Sequence, residues 1–275
     1  MDKHIIEALG KSQITIENGK VTNITQPEVT YCPLFHNHRG IEELNEKTIK
    51  ENIEFRINDF GFCTPQREIR MKDFLSFGVS ETISTLLKEN LIDATIMVCD
   101  GCGTVIITDP EIAQGVGGRV SGFISTTPIP ETIKKIGEKN VLNPETAIID
   151  QIQGVQKAIN MGYKKLAVSV VSPEQAQELR KIEKETQTQI YLFAVHTTAL
   201  NRKDAEQLIN TCDILTACAS KHIRELSQEK EIFSAGASIP IYAPTDKGEE
   251  FLKLRIEKIG GIKHKENPKI PDPLI

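Results

Sequence analysis

The 275 residues carry 33 Lys and Arg against 38 Asp and Glu, a formal net charge of −5, with 39% hydrophobic residues, 6 Cys and no Trp. A chain this long can bury a sizeable core as one large domain or two ordinary ones. The mild acidity argues against a general nucleic-acid binder, which needs a basic excess on one face, and no apolar run approaches the ~20 residues that span a bilayer. Met1-Asp2-Lys3-His4 leads into amphipathic Ile5-Ile6-Glu7-Ala8-Leu9 without the long apolar region and cleavage site of a secretory signal. A cytoplasmic protein is expected. Its cysteines then read as thiols, metal ligands or redox groups before structural disulfides.

The first element in the chain is a hairpin. Residues 13–17 and 20–24 alternate in hydrophobicity around Asn18-Gly19, which tolerate the positive φ of a tight primed turn. The polar stretch Tyr31-Cys32-Pro33-Leu34-Phe35-His36-Asn37-His38-Arg39-Gly40 reads as irregular. Helical periodicity follows over residues 41–57, through Ile41, Leu44, Ile49 and Ile53. It returns over 72–89, where Phe74, Leu75, Phe77, Ile83, Leu86 and Leu87 make a face wide enough for burial. Residues 94–99 and 103–108 read as neighbouring buried strands. Residues 113–122 are glycine-rich and read as a loop, and Thr126-Thr127-Pro128 as the start of a helix.

From Pro144 onward the rhythm is regular. A helix over 145–161 stops at Gly162. Strands at 166–171, 190–195, 213–217 and 239–243 alternate with helices opening at Ser172-Pro173, near Arg202, at Ser220 and at Thr245. Such units with short links specify a parallel sheet covered by helices. The expected fold class is α/β. A mixed α+β region with the hairpin covers residues 1–125, a Rossmann-like parallel-sheet region covers 126–260, and 261–275 form a mobile tail.

Four patterns carry chemistry. Cys99-Asp100-Gly101-Cys102-Gly103 spaces two thiols so that both can face one metal, or so that they form a dithiol redox pair. A four-ligand zinc or iron–sulfur centre would draw further on Cys32, Cys63 and Cys218. The alternative is small buried hydrophobes, the reading that best suits Cys212 at a helix end. Second, Gly115, Gly117, Gly118 and Arg119 form a candidate anion nest for a cofactor. No Gly-Lys-Ser/Thr closes it as a phosphate loop, and a plain turn fits the same residues. Third, the C-terminal strand ends place Ser172, His196-Thr197-Thr198, Cys218-Ala219-Ser220-Lys221-His222 and Thr245 on the sheet edge where α/β folds bind ligands. Of these, His196 and Lys221 are the acid–base candidates, although a satisfied buried histidine explains His196 equally well. Fourth, Cys32 with His36 and His38 lacks the spacing that would complete a zinc finger.

Longer phrases resemble a known family. Tyr31-Cys32-Pro33-Leu34-Phe35, His38-Arg39-Gly40-Ile41-Glu42-Glu43, Val98-Cys99-Asp100-Gly101, Phe193-Ala194-Val195-His196-Thr197-Thr198 and Thr216-Ala217-Cys218-Ala219-Ser220-Lys221-His222-Ile223-Arg224-Glu225 are similar to methanogenesis marker protein 8 of archaea. The resemblance covers about residues 3–260. It implies an accessory role around methyl-coenzyme M reductase in maturation, activation or cofactor handling, with the reductase or its maturation factors as partners. It carries no catalytic residues with it. Two other readings stand beside it: an enzyme acting on a small anionic metabolite or nucleotide, and a non-catalytic assembly subunit. A homo-oligomer suits each of these, and none calls for nucleic acid or membrane.

Overall fold

Period-two alternation near the N-terminus builds a small antiparallel sheet. In the computed structural model, which describes residues 2–73, 77–119, 122–236, 238–262 and 268–275, strand β1 (Lys3–Ala8) pairs with β2 (Ser12–Glu17), and β2 with β3 (Lys20–Ile24) across Asn18-Gly19. Both turn residues take positive φ, as the hairpin reading expects. The other edge of β1 is filled by β6 (Gly122–Thr126), so the strand order is β3-β2-β1-β6. The inward residues Ile6, Ile14 and Ile16 are fully buried against Ile49 and Ile53 of α2 (Glu46–Phe60). Asn45 and Thr48 close a reciprocal capping box at the start of that helix, each side chain taking the other's backbone N–H at 3.0 Å.

The second sheet is the larger layer. Strands β4 (Ala94–Cys99), β7 (Lys165–Val170), β8 (Gln189–Ala194) and β9 (Ile214–Thr216) run parallel. Antiparallel strands extend both sides: β5 (Gly103–Ile107) beside β4, and β11 (Ile241–Ala243) then β10 (Phe233–Ala235) beside β9. One face packs on α3 (Val79–Lys88), α4 (Pro110–Gly117), α5 (Pro130–Ile136) and α10 (Asp246–Lys258) through Ile83, Leu86, Ala113, Val116, Ile133 and Phe251. The opposite face packs on α6 (Gln151–Asn160), α7 (Pro173–Thr186), α8 (Arg202–Thr211) and α9 (Lys221–Glu229) through Val155, Leu179, Leu208 and Ile223. The fold is α/β, three layers deep at this sheet. Among the described residues, no helix is long and apolar enough to cross a membrane.

The structure departs from the sequence expectations in particular places. Residues 31–40 hold a helix, α1 (Pro33–Arg39), whose signals were present: Pro33 at its first position and Gly40 closing it with φ +66°. The expected loop over 113–122 is helical through Gly117, and its glycines serve packing. A Cβ on Gly115 would lie 2.1 Å from the Ile69 carbonyl oxygen. Thr126 ends strand β6 rather than starting a helix, because β1 offers it a ladder. Strand β11 is antiparallel to β9, so the sheet is mixed where a parallel one was expected. A division after residue 125 places β4 and β5 with the N-terminal region, yet both belong to the large sheet. Within residues 261–275, expected to be a mobile tail, Asp272 and Ile275 make backbone hydrogen bonds to the protein body.

The two sheets meet at the tip of the β4–β5 hairpin. Asp100, fully buried there, takes two bonds from Arg67 Nε at 2.9 and 3.0 Å and one from the Cys63 N–H at 2.8 Å. Arg67, equally buried, also donates to the carbonyls of Glu68 and of Gly115 in α4. Burial alone would lower the guanidinium's pKa, but Asp100 holds it above its ordinary value. Across the same tip, the Gly101 N–H donates to Thr126 Oγ1 at 2.9 Å, and that hydroxyl lies 2.6 Å from Nδ1 of buried His4 in β1. Removing one partner of a buried ion pair leaves an uncompensated charge. Asp100→Ala is therefore expected to lower the unfolding free energy by about 3–5 kcal/mol, measured by chemical denaturation; a loss below about 1 kcal/mol would mean the pair is peripheral to stability.

Candidate functional site

The loops after β8 and β9 reach the C-terminal edge of the large sheet, where parallel strands expose their ligand-binding side. Cys218 lies just beyond β9, partly exposed. Its loop is fixed by Arg224 of α9, whose Nε donates to the Ala217 carbonyl at 3.0 Å while Nη2 donates to those of Cys218 and Ser238 at 2.6 and 2.9 Å. From the other sheet's side, Cys32 comes in immediately before α1 and is 6% exposed. Each thiol shifts the other's acidity.

The two shifts run in opposite directions. Cys218, aided by the Phe35 and Leu34 N–H groups, brings the Cys32 thiol down to about 7 against the opposing effect of burial. Cys218 is pushed well above its usual value by Cys32 and by burial, with Arg224 partly opposing. Cys32 is thus the sulfur that carries negative charge first.

Residues 272–275 cross directly beside this pair. Asp272 bridges to Tyr31, accepting from its N–H at 2.9 Å and donating back to its carbonyl at 3.1 Å. At the far end, the Ile275 N–H donates to Ala219 at 2.9 Å, and the Ile275 carbonyl accepts from Lys221 at 2.9 Å and Ala199 at 3.2 Å. Tyr31 precedes Cys32 and Ala219 follows Cys218, so one short segment binds the chain on both sides of the thiols.

The remaining candidates fall elsewhere. Cys99 and Cys102 contact each other in the buried hairpin tip, and their hydrogen bond, followed by burial, raises Cys99 well above its usual value. Cys63 is fully buried near Asp100, whose charge adds to burial in raising its thiol. The tip's polar bonds run through Asp100 and the Gly101 N–H. Cys212 is buried and pushed up to about 12, as suits a packing residue. Cys32 and Cys63 share the apolar cluster of the small sheet, and Cys99 and Cys102 that of the large one, so the five sulfurs do not gather at one point. Among the described residues, no group of three or more His, Cys, Asp and Glu is disposed to hold a metal ion. A two-sulfur set falls short of the four ligands of a structural zinc or cluster, so the donors do not fit that cofactor.

The amides of Gly115 and Gly117 lie inside α4, and the Gly118 N–H bonds to the Gln114 carbonyl at 2.9 Å, which removes the proposed anion nest. Arg119 sits on the Phe60 ring, 4.8 Å from its centroid, on the ring that Arg67 also approaches. His196 takes φ +55° in the loop after β8 and rests against Gly122 of β6. Its pKa is lowered by desolvation, with Glu7 opposing and Lys11 reinforcing. Lys221 starts α9, and its backbone meets the 196–199 loop through the shared Ile275 carbonyl. Neither residue is in hydrogen-bonding contact with the thiol pair. What sequence reasoning missed is the pairing of Cys32 with Cys218 and the strap of residues 272–275; only Pro33 and the strand-end position of Cys218 signalled either.

The family described as an uncharacterised protein conserved in archaea, DUF2099, matches residues 4–257. The chain belongs to that family. Within DUF2099 territory, the uncharacterised protein MJ0054 of Methanocaldococcus jannaschii is 43% identical over 265 residues, covering 95% of this chain and 93% of its own length. Both the thiol pair and the Arg67–Asp100 junction lie in the matched region.

With Cys32 lowered to about 7, its alkylation by iodoacetamide is expected to rise with pH through a midpoint near that value. Cys218, burial and the Phe35 and Leu34 N–H groups set that midpoint. Peptide mapping of the alkylated protein checks it; a Cys32 midpoint at the ordinary thiol value would contradict the assignment.

Proposed function

We propose that this protein is a cytoplasmic, thiol-centred accessory factor of methanogenesis, serving the maturation, activation or cofactor handling of methyl-coenzyme M reductase. The observation that carries the reading is the Cys32–Cys218 pair, set at the ligand-binding edge of an α/β sheet with one thiol readily ionised. Support for the biological setting comes from the phrases shared with methanogenesis marker protein 8 and from the 43% identical relative in Methanocaldococcus jannaschii. Both thiols fall within those phrases: Cys32 in the Tyr31–Phe35 stretch and Cys218 in the Thr216–Glu225 stretch. The working chemistry in this reading belongs to the two sulfurs themselves, since among the described residues no group of three or more His, Cys, Asp and Glu is disposed to hold a metal ion.

Deletion of the gene in a methane-producing archaeon tests the role. The active fraction of methyl-coenzyme M reductase is expected to fall, and to recover with the wild-type chain but not with Cys32→Ser or Cys218→Ser. Unchanged reductase activity and cofactor content in the deletion strain would overturn the proposal.

A further inference from the structure

The first turn of α9 is charged against its own helix. A helix N-terminus carries partial positive charge and unsatisfied N–H groups, which acidic side chains ordinarily offset. Here the first turn holds Lys221, His222 and Arg224 and no acidic residue. His222 is engaged with Glu225 at 3.1 Å, which leaves Lys221 and Arg224 as the cations. Ser220 stands at the N-cap, but its side chain makes no cap bond to the helix. Its hydroxyl is fully buried and has no hydrogen-bond partner among the described residues, a state that costs free energy. Two cations, the helix dipole and an unspent hydroxyl therefore meet just past β9, on the ligand-binding edge of the sheet.

A carbonyl answers the N–H groups at this point. The Ile275 oxygen accepts from Lys221 at 2.9 Å and from Ala199 at 3.2 Å, so two loops aim donors at one oxygen. A cleft of about 670 Å³ runs from Lys221 along α9, with Leu274 as part of its wall. Its lining mixes Arg224 with Glu225, Glu231, Ser234 and Tyr242, which suits a polar ligand body rather than an apolar one.

We infer that the N-terminus of α9 is a binding site for the phosphate group of a small, polar phosphate ester, which displaces the Ile275 carbonyl on binding. One phosphate oxygen takes the carbonyl's place between the Lys221 and Ala199 N–H groups, and a second accepts from the Ser220 hydroxyl. The dianion offsets the Lys221 charge and the dipole together, which the partial charge of a carbonyl does only weakly. The body of the ester lies in the cleft. The site uses neither sulfur, so it stands or falls apart from the thiol reading.

The test uses the full-length protein, titrated by calorimetry at constant ionic strength with inorganic phosphate, glycerol phosphate and AMP. Saturable binding is expected, tighter for at least one ester than for free phosphate, because only an ester reaches the cleft. Ser220→Ala is expected to weaken ester binding about tenfold by removing a bond to a charged group. Its melting temperature should hold or rise, since the buried hydroxyl it deletes has no partner to lose. Lys221→Ala should weaken binding about threefold, as suits an exposed charge. Hydrogen exchange read by mass spectrometry should become faster in a peptide containing residues 272–275 when the ester is bound, and slower over 219–224. No saturable binding, free phosphate as the best ligand, or unchanged exchange over 272–275 would overturn the inference. So would a Ser220→Ala protein that keeps full affinity or fails to fold, since the hydroxyl would then serve structure alone.

Discussion

Burying an ion pair is tolerable only where its geometry and accessory hydrogen bonds repay the loss of water. Arg67 and Asp100 meet that condition with no exposed side-chain surface, and the way they meet it sets the architecture. Asp100 comes from the hairpin tip of the large sheet, while Cys63 and Arg67 come from the turn that follows α2. Arg67 carries the connection on to α4 through Gly115. Neither charge can be satisfied unless both sheets are in place, so the pair makes the mutual position of the layers a condition of folding. The Thr126 hydroxyl, shared between Gly101 and His4, repeats the constraint on the opposite side of the tip.

This constraint also explains where the cysteines fall. At the hairpin tip, Cys99 and Cys102 fill apolar volume while the intervening Asp100 does the polar work. The Cys-x-x-Cys spacing is thus a consequence of a short turn between two buried strands. Cys32 and Cys218 sit where the layers meet without such an internal partner. The acidity of each is shifted chiefly by the other, which is the arrangement in which one sulfur acquires charge at the expense of its neighbour.

Regular elements with local signatures were legible in the sequence. The Asn18-Gly19 hairpin, the Ser172-Pro173 opening of α7 and the parallel units β7 to β9 follow from turn chemistry, capping and periodicity over short windows. Strands β1 and β6 were not legible, because neither alternates over a long window and β6 is held by β1, remote in the chain. The glycines of α4 misled for a related reason: a glycine needed for close approach to Ile69 looks, in sequence, like a glycine needed for a loop. Of the candidate site, single residues could be named but not their grouping. Cys32 and Cys218 were both in view, whereas the strap that binds the residues beside them joins regions far apart in the chain.

Residues 272–275 bind Thr30 and Tyr31 near one end of the chain and Ala199, Ala219 and Lys221 near the other. All of those partners leave the ribosome before the segment that joins them. The strap can therefore form only once regions far apart in the chain have folded beside one another, which makes it a late contact of assembly.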